Sequence, residues 1–163
     1  MIVVRAIDAD DWEDWRALRR AALAEAPGAF GSRLADWSDG GDTEERWRAR
    51  LDAVAHNVLA ELDGWTAGMV SAMSPEGGAV ELISMWVVPE ARGRGVGDAL
   101  VAHVCDWASD AGAARVVLDV RAANAPAISL YARHGFVDVG ESSEPGTAVP
   151  ERRMVVALAA RAP

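Results

Sequence analysis

The sequence predicts an α/β (α+β) fold, a mixed central β-sheet of about seven strands flanked by about four helices. Segments with apolar residues at helical spacing alternate with short apolar segments that glycine, proline or aspartate bounds. This order places helices on both faces of a mixed sheet. The chain has 163 residues and a hydrophobic content of 51%, so we expect a single domain over residues 1–163.

The first part of the chain predicts one strand and two helices. The strand covers residues 1–7, and three aspartates behind it can cap a helix at residues 8–25. A loop with glycine-containing breaks extends to residue 42. A second helix is predicted over residues 43–56, because its apolar residues recur on one side.

Strands and helices then alternate. Asp63 and Gly64 form a hairpin signal between two strands, and Pro89 ends a third strand. Predicted strands lie at residues 58–62, 65–73, 79–88, 115–120, 136–139 and 153–159. Predicted helices lie at residues 96–110 and 125–133.

Charge and hydropathy exclude several functions. The 25 acidic and 16 basic residues give a net charge of −9, so no nucleic-acid partner is expected. Every basic residue is an arginine, which excludes Schiff-base chemistry. No apolar run approaches the about 20 residues of a membrane span, and the start of the chain lacks a signal-peptide pattern. We therefore expect a cytoplasmic protein without a membrane partner.

Metal and thiol chemistry are also not expected. Cys105 is the only cysteine, which excludes an internal disulfide, and we expect it to be a small buried residue. His56, His103 and His134 are scattered and lack metal-ligand spacing.

The strongest chemical signal is the segment Arg92-Gly93-Arg94-Gly95-Val96-Gly97, between a predicted strand and a predicted helix. Its glycines let backbone N–H groups approach phosphate oxygens, and the positive end of the helix points to the same place. The two arginines add full charges. The segment predicts a pyrophosphate site; the alternative is an ordinary glycine-rich connection with two solvated arginines.

Two segments resemble the GNAT acyltransferases. Residues 81–97 are similar to motif A of that superfamily, with its R/Q-x-x-G-x-G/A signature. Residues 124–136 resemble its N-x-x-A-x-x-x-Y-x-x-x-G-F segment, and the element order matches over nearly the whole chain. The resemblance implies the GNAT fold, acetyl-CoA as co-substrate, no metal, and direct transfer of the acetyl group to an amine in a ternary complex.

The resemblance also implies where acetyl-CoA binds. Backbone groups of Met85 and Val87 would hold the thioester carbonyl and the pantetheine arm, in an opening made by a strand bulge and by splaying from the next strand. Asn124 would hydrogen-bond that arm. The expected cofactor-binding residues are Met85, Trp86, Val87, Val88, Arg92, Gly93, Arg94, Gly95, Val96, Gly97, Asn124, Ala127, Tyr131 and Arg133.

Two residues are expected to be catalytic. By the resemblance, Tyr131, the only tyrosine, protonates or hydrogen-bonds the departing thiolate; the alternative is core packing. Glu81 matches a position where several family members keep a glutamate that removes a proton from the amine. If no bulge intervenes, Glu81 shares a strand face with Ile83, Met85 and Val87, and apolar neighbours raise its pKa. The alternative is a Glu81 that faces solvent or an arginine.

The acceptor is expected to be a small cationic amine. The first 80 residues hold 15 acidic residues and 8 arginines, which suits a cationic partner; the alternative is a solvated acidic surface that keeps the protein in solution. The resemblance implies that the first two helices and their connection shape the acceptor pocket. Residues 141–151 are expected to form another wall. The expected acceptor-binding residues are Phe30, Gly31, Ser32, Trp37 and Glu81.

Two other functions stay open on the sequence. The first is a regulatory domain that binds CoA without turnover, against which the presence of Glu81 and Tyr131 argues. The second is acetylation of protein N-termini or side chains, which requires an open groove. Dimers are common in the family, and a homodimer is one expectation for the assembly.

Overall fold

The computed structural model describes residues 1–25, 33–142 and 149–160. Within them, seven strands form one sheet in the order β1-β2-β3-β4-β5-β7-β6. The strands are β1 (Ile2–Ile7), β2 (His56–Leu62), β3 (Trp65–Ala72), β4 (Ala79–Val87), β5 (Arg115–Arg121), β6 (Val137–Glu141) and β7 (Glu151–Ala157). The helices are α1 (Trp12–Glu25), α2 (Glu44–Ala53), α3 (Val96–Asp110) and α4 (Ala125–Arg133).

The predicted fold class is confirmed. The neighbours β4 and β5 are parallel, whereas the other neighbouring strands are antiparallel, which makes the sheet mixed. The bounds of α3 and α4 agree with the prediction. The turn at Asp63 and Gly64 joins β2 to β3 with positive φ at both residues, as a two-residue hairpin requires.

Helix α2 is shorter than predicted. It begins after Thr43, whose hydroxyl accepts a hydrogen bond from the N–H of Arg46 (3.2 Å), and it ends at Ala53. The side-chain amide of Asn57 donates to the carbonyl oxygens of Leu51 (2.9 Å) and Val54 (3.3 Å). Because Asn57 belongs to β2, it ties the end of α2 to the sheet, and the strand starts at residue 56 rather than 58.

The C-terminal strands are displaced from their predicted bounds. Strand β7 lies between β5 and β6, and its pairing with β5 runs from Arg121 opposite Glu151 to Arg115 opposite Ala157. This register sets β7 two residues earlier than predicted. Phe136 precedes β6 because its N–H closes the end of α4 by donating to the carbonyl of Tyr131 (3.1 Å).

The sheet separates two cores. One buried cluster contains Val80 and Leu82 of β4 with residues of α3 and Tyr131 of α4. The other contains Trp86 of β4 with Trp15 of α1 and residues of α2. Strand β4 therefore has α3 and α4 on one face and α1 and α2 on the other.

Asp42 joins α1 to α2. Its carboxylate accepts hydrogen bonds from Arg16 Nε (2.7 Å) and from Trp47 Nε1 (2.7 Å). These hydrogen bonds hold the pKa of Asp42 well below its usual range. The hydrogen bonds of Asp42 to Arg16 and Trp47 hold both helices over the same face of β3 and β4.

The described ranges contain neither a membrane-spanning helix nor a cluster of metal-binding side chains. No helix there is long and apolar enough to cross a membrane. No group of three or more histidine, cysteine, aspartate and glutamate residues is placed there to hold a metal ion.

Candidate active site

Strand β4 is bulged at Ser84. Met69 of β3 lies opposite Trp86, but Ser71 lies opposite Ile83, so β4 holds one extra residue between the two pairs. Ser84 has φ +56°, a backbone conformation that non-glycine residues rarely adopt. The bulge that the family resemblance implied is thus present.

The bulge changes which residues share a face with Glu81. The side chains of Met85 and Val87 pack against the α3 and α4 cluster, together with Val80 and Leu82. Ser84 points to the opposite face, where its hydroxyl accepts a hydrogen bond from Arg50 of α2 (3.2 Å). Alternation places Glu81 and Ile83 on that second face as well. Because the bulge intervenes, Glu81 shares a face with Ile83 but not with Met85 and Val87.

Strands β4 and β5 separate beyond Glu81. Their parallel pairing consists of Ala79 with Arg115, Val80 with Val116 and Glu81 with Val117. The N–H of Val88 donates to β3 (2.9 Å), and backbone groups of adjacent strand residues point to opposite edges. The N–H groups of Val87 and Met85 accordingly face the opening toward β5, as expected for groups that bind a ligand there.

The predicted pyrophosphate segment joins this opening at the start of α3. Gly93 (φ +74°) and Gly95 (φ +90°) adopt the left-handed conformation, and a Cβ atom at Gly93 would meet open space. The first turn of α3 follows Gly95 directly and presents N–H groups without acceptors within the helix. This arrangement suits a phosphate group, which needs backbone donors and room to approach.

The two arginines of the segment are already paired. Arg92 donates to the carbonyl oxygen of Val87 (3.1 Å) and to the carboxylate of Glu25. Arg94 donates to Asp63 Oδ2 (3.3 Å). Both side chains are about half exposed, and exposed ion pairs contribute little free energy. An anion with more charge than a carboxylate can therefore take over these guanidinium groups.

Tyr131 lies in the buried part of the site. Its ring is 6% exposed and tilts against Phe136, with 5.7 Å between the ring centroids. Burial raises the pKa of Tyr131 above its ordinary value, so the hydroxyl stays protonated near neutral pH. A protonated phenol can donate a proton and is a poor base.

Asn124 and Arg133 have partners of their own. The Asn124 side chain caps α4 by accepting a hydrogen bond from the N–H of Ala127 (3.2 Å). Arg133 donates to both carboxylate oxygens of Asp98 in the first turn of α3 (3.2 Å each). Burial raises the pKa of Asp98, but hydrogen bonds from His134 and Arg133 outweigh it, and that pKa is lowered. Their contacts with a cofactor stay predictions.

Glu81 lines a cleft of about 770 Å³ on the other face of the sheet. The cleft lies beside the end of α2, and its lining also includes Glu76, Val117, Arg115 and Arg153. The surroundings of Glu81 are thus mixed rather than apolar as expected. Glu81 is half-buried, and its role as a base stays a prediction.

The predicted acceptor residues are placed only in part. Phe30, Gly31 and Ser32 lie outside the described residues, as do residues 143–148 of the expected second wall. Trp37 packs against Trp47, with 4.2 Å between the ring centroids, and the Arg46 guanidinium lies 4.4 Å from the Trp37 ring. Trp37 is thus engaged in packing, and contact with an acceptor stays a prediction for it.

Two features of the structure had not been predicted from the sequence. Arg50 enters the interior beside the bulge, although it lies on a helix rich in charged residues. His56 and His103 were expected to be scattered, yet their Nε2 atoms are 2.9 Å apart. Hydrophobic spacing would identify neither, because both depend on contacts between distant segments.

Cys105 is half-buried, and burial raises the pKa of its thiol to about 11, which agrees with an unreactive side chain.

The bulged strand β4 separates from its parallel neighbour β5, and the glycine-rich start of α3 follows β4 in the chain. The chain belongs to the acetyltransferase (GNAT) family, whose model matches residues 9–136. The resemblance found in the two motifs is confirmed.

Individual relatives support this assignment. The chain is 32% identical over 137 residues to the mycothiol acetyltransferase of Clavibacter sepedonicus, covering 84% of this chain and 43% of that protein. It is 33% identical over 117 residues to the streptothricin acetyltransferase of Streptomyces lavendulae, covering 72% of this chain and 58% of that protein. The chain thus spans less than two thirds of the length of these relatives.

A solved structure shares the fold. YncA from Salmonella typhimurium, determined with its cofactor acetyl-CoA, superposes with a TM-score of 0.76 at 20% identity. The match covers 100% of this chain and 97% of that chain.

Proposed function

We propose that the protein is an N-acetyltransferase that moves the acetyl group of acetyl-CoA to the primary amine of a small molecule. The observation that carries this proposal is the opening between β4 and β5, which begins after Glu81 and leads to the first turn of α3. Membership of the acetyltransferase family supports it. The relatives are named for small acceptors, mycothiol and streptothricin. A net charge of −9 argues against a nucleic-acid acceptor.

The described residues fit acetyl-CoA along its length. The segment from Arg92 to Gly97 offers backbone donors and two exchangeable guanidinium groups to the diphosphate. The N–H groups of Met85 and Val87 face the opening where the pantetheine arm and the thioester carbonyl would lie. When bound, acetyl-CoA supplies an acetyl group activated as a thioester.

The backbone of β4 supplies the electrostatic part of catalysis in this proposal. Negative charge develops on the carbonyl oxygen when an amine attacks the acetyl carbon. One of the fixed N–H groups of Met85 and Val87 stabilises that charge at no cost of reorganisation, because the strand already holds it in place. The other group lies about 7 Å away along the same strand edge and is left for the pantetheine arm. The bulge at Ser84 sets the direction of these groups.

Two side chains handle the protons. The acceptor arrives as an ammonium ion, and Glu81 removes one proton, directly or through a water molecule. The amine nitrogen then forms a bond with the acetyl carbon, and the bond from that carbon to sulfur breaks. Tyr131 donates its proton to the departing sulfur, and the proton released from nitrogen in forming the amide restores the phenol through solvent. The net products are an N-acetylated amine, free CoA thiol and one proton.

Release of free CoA thiol tests this function. We expect turnover of acetyl-CoA to rise above its background hydrolysis when a panel of small amines is supplied. Calorimetry with CoA is the parallel measurement. Binding of CoA without amine-dependent thiol release would favour a regulatory domain, and turnover only with peptides would favour a protein acceptor. The homodimer and the cytoplasmic location stay predictions.

A further inference from the structure

Two arginine side chains, one buried and one half-buried, lie behind the bulge of β4, and the proposed mechanism uses neither of them. Arg19 on α1 is 7% exposed. Arg50 on α2 is half-buried. Both lie on the face of the sheet that α1 and α2 cover, opposite to α3 and α4.

Arg50 is surrounded by uncharged groups. Its Nη1 atom donates to Asn57 Oδ1 (3.1 Å), and its Nη2 atom lies near the hydroxyl oxygens of Ser84 (3.2 Å) and Ser71 (3.4 Å). Its Cζ atom is 5.2 Å from the centroid of the Trp15 ring. Within the described part of the chain, no carboxylate forms an ion pair with Arg50.

Burying the Arg50 cation is unfavourable without an anion. Burial lowers the pKa of Arg50 to about 10. Burial and the charge of Arg50 together lower the pKa of Arg19 to about 10. Both groups stay protonated at neutral pH and repel each other. A neutral hydrogen bond would be enough to hold α2 against β4, so the charge of Arg50 calls for another explanation.

Arg50 lies close to the proposed acetyl site. Ser84, which Arg50 contacts, directly precedes Met85, whose backbone faces the proposed acetyl site. Consecutive Cα atoms are about 3.8 Å apart, so an anion held at Arg50 lies within the length of a small molecule from that site. Glu81 lies on the same face, three residues earlier in β4.

We propose that the acceptor is an amine that also carries a carboxylate, and that Arg50 binds this carboxylate beside the bulge. This inference rests on the proposed acetyl transfer and specifies its acceptor. The guanidinium fork of arginine matches the geometry of a carboxylate, which can accept two parallel hydrogen bonds. The ammonium end of the same molecule points to Glu81. The proposed acceptor is therefore a zwitterion and not a simple cationic amine. Arg50 binds its negative charge, and Glu81 faces its positive charge.

Matched pairs of acceptors test the inference on the unaltered protein. The probes are the common L-amino acids and the carboxamide of each, assayed by release of CoA thiol. The acid differs from its amide by the negative charge. We expect kcat/KM to favour the acid by about tenfold to a hundredfold in at least one pair. Equal or better transfer to the amides in every pair overturns the inference while the proposed acetyl transfer stands.

Two variants locate the effect. Arg50→Gln is expected to raise KM for the acid by about tenfold or more and to leave the amide nearly unchanged. Arg48→Gln is the matched control, because Arg48 lies on the same helix and pairs at the surface with Asp10 (2.8 Å) and Glu44 (2.9 Å). An equal effect of Arg50→Gln on acid and amide would show that Arg50 is merely structural. If that variant does not fold, the acid and amide pairs decide on the unaltered protein.

A binding measurement keeps this test independent of turnover. The probes are the N-acetyl-L-amino acids and their amides, titrated by calorimetry into the unaltered protein saturated with CoA. Tighter binding of an acid than of its amide, by about tenfold, supports the carboxylate site even if no amine is acetylated. If acids bind more tightly but no amine is acetylated, the proposed function is wrong and the carboxylate site at Arg50 is still supported. Equal binding within all pairs contradicts the site.

Discussion

Leu130 of α4 lies so close to Gly97 of α3 that a Cβ atom at residue 97 would be 3.1 Å from Leu130 Cδ2. The same Cβ atom would be 3.5 Å from Cε of Met85 on β4. Three elements that frame the proposed cofactor site therefore meet at Gly97. In contrast, a Cβ atom at Gly93 would contact nothing, and that glycine is required for its positive φ. The glycines of one motif thus serve different purposes.

Gly97→Val should weaken CoA binding. The added side chain has to displace Leu130 or Met85, which moves α4 away from the opening. We expect the Kd of CoA to rise about tenfold, which corresponds to about 1.4 kcal/mol. Calorimetry measures it. Gly40→Val is the control, because a Cβ atom at Gly40 meets nothing within 4 Å. An unchanged Kd in Gly97→Val would mean that the helices tolerate the displacement.

Arg94→Ala should also weaken CoA binding, and more so at low ionic strength. The substitution removes one charge facing the proposed diphosphate and leaves Asp63, the present partner of Arg94, in place. We expect a rise in Kd of about threefold to tenfold, larger at 20 mM salt than at about 300 mM, because salt screens exposed charges. Arg152→Ala is the control, since Arg152 pairs with Asp138 on β6. A Kd equal to that of the parent at both salt concentrations would contradict the pyrophosphate site.

Tyr131→Phe should lower turnover more than affinity for acetyl-CoA. The variant keeps the ring that packs against Phe136 and loses only the proton that the mechanism assigns to the departing sulfur. We expect kcat to fall by about a hundredfold, with the Kd of CoA changed less than threefold. Because the pKa of Tyr131 is raised, the parent should also keep its turnover up to about pH 10, the ordinary value of a tyrosine. Equal kcat in the variant would remove Tyr131 from catalysis.

The sequence predicted those elements whose signals are local. The bounds of α3 and α4 agreed with prediction because Gly95 and Asn124 mark their starts and an apolar stripe follows. The sequence left the face of Glu81 undecided, because the position of the bulge at Ser84 depends on how β3 pairs with β4. A bulge of one residue moves every later side chain of the strand to the opposite face of the sheet. No residue type by itself predicts such a bulge.

The partial burial of Arg50 could not be predicted from the sequence either. Arg50 resembles any solvated arginine on a polar helix, since its burial follows from how α2 rests on the sheet. Asn57 and Ser71 contribute to that environment from two neighbouring strands, and Ser84 contributes from the bulge itself. The candidate acceptor site therefore depends on tertiary packing, whereas the proposed cofactor site depends on a contiguous motif.

Glu81→Gln should remove the rise in turnover with pH. In the proposed mechanism the carboxylate accepts a proton from the ammonium, so turnover increases as Glu81 ionises. Glutamine keeps the size of the side chain and cannot accept that proton. We expect kcat to fall by about a hundredfold and its pH profile to flatten on the acidic side. Glu76→Gln is the control, since Glu76 lines the same cleft. Superimposable profiles for parent and Glu81→Gln would assign the base to water or to another residue.

Stability should decrease in acid because of His56 and His103. The Nε2 atoms are 2.9 Å apart, so one ring donates a hydrogen and the other accepts it, which requires at least one neutral ring. The His56 ring also stacks on Trp107, with 4.7 Å between centroids. Burial lowers the pKa of both histidines below the ordinary 6.5, and the charge of His103 lowers that of His56 further.

The sign of the effect follows from proton binding. Below pH 6.5 the unfolded chain binds protons that the folded protein resists, so the free energy of unfolding falls as the pH decreases. The stabilising contribution is complete above pH 6.5 and is lost as the pH passes through the lowered values. Thermal unfolding between about pH 7.5 and pH 5 measures it. His103→Gln removes one titrating ring and should make the fall in Tm shallower. An equally steep fall in this variant would assign the acid sensitivity to other groups.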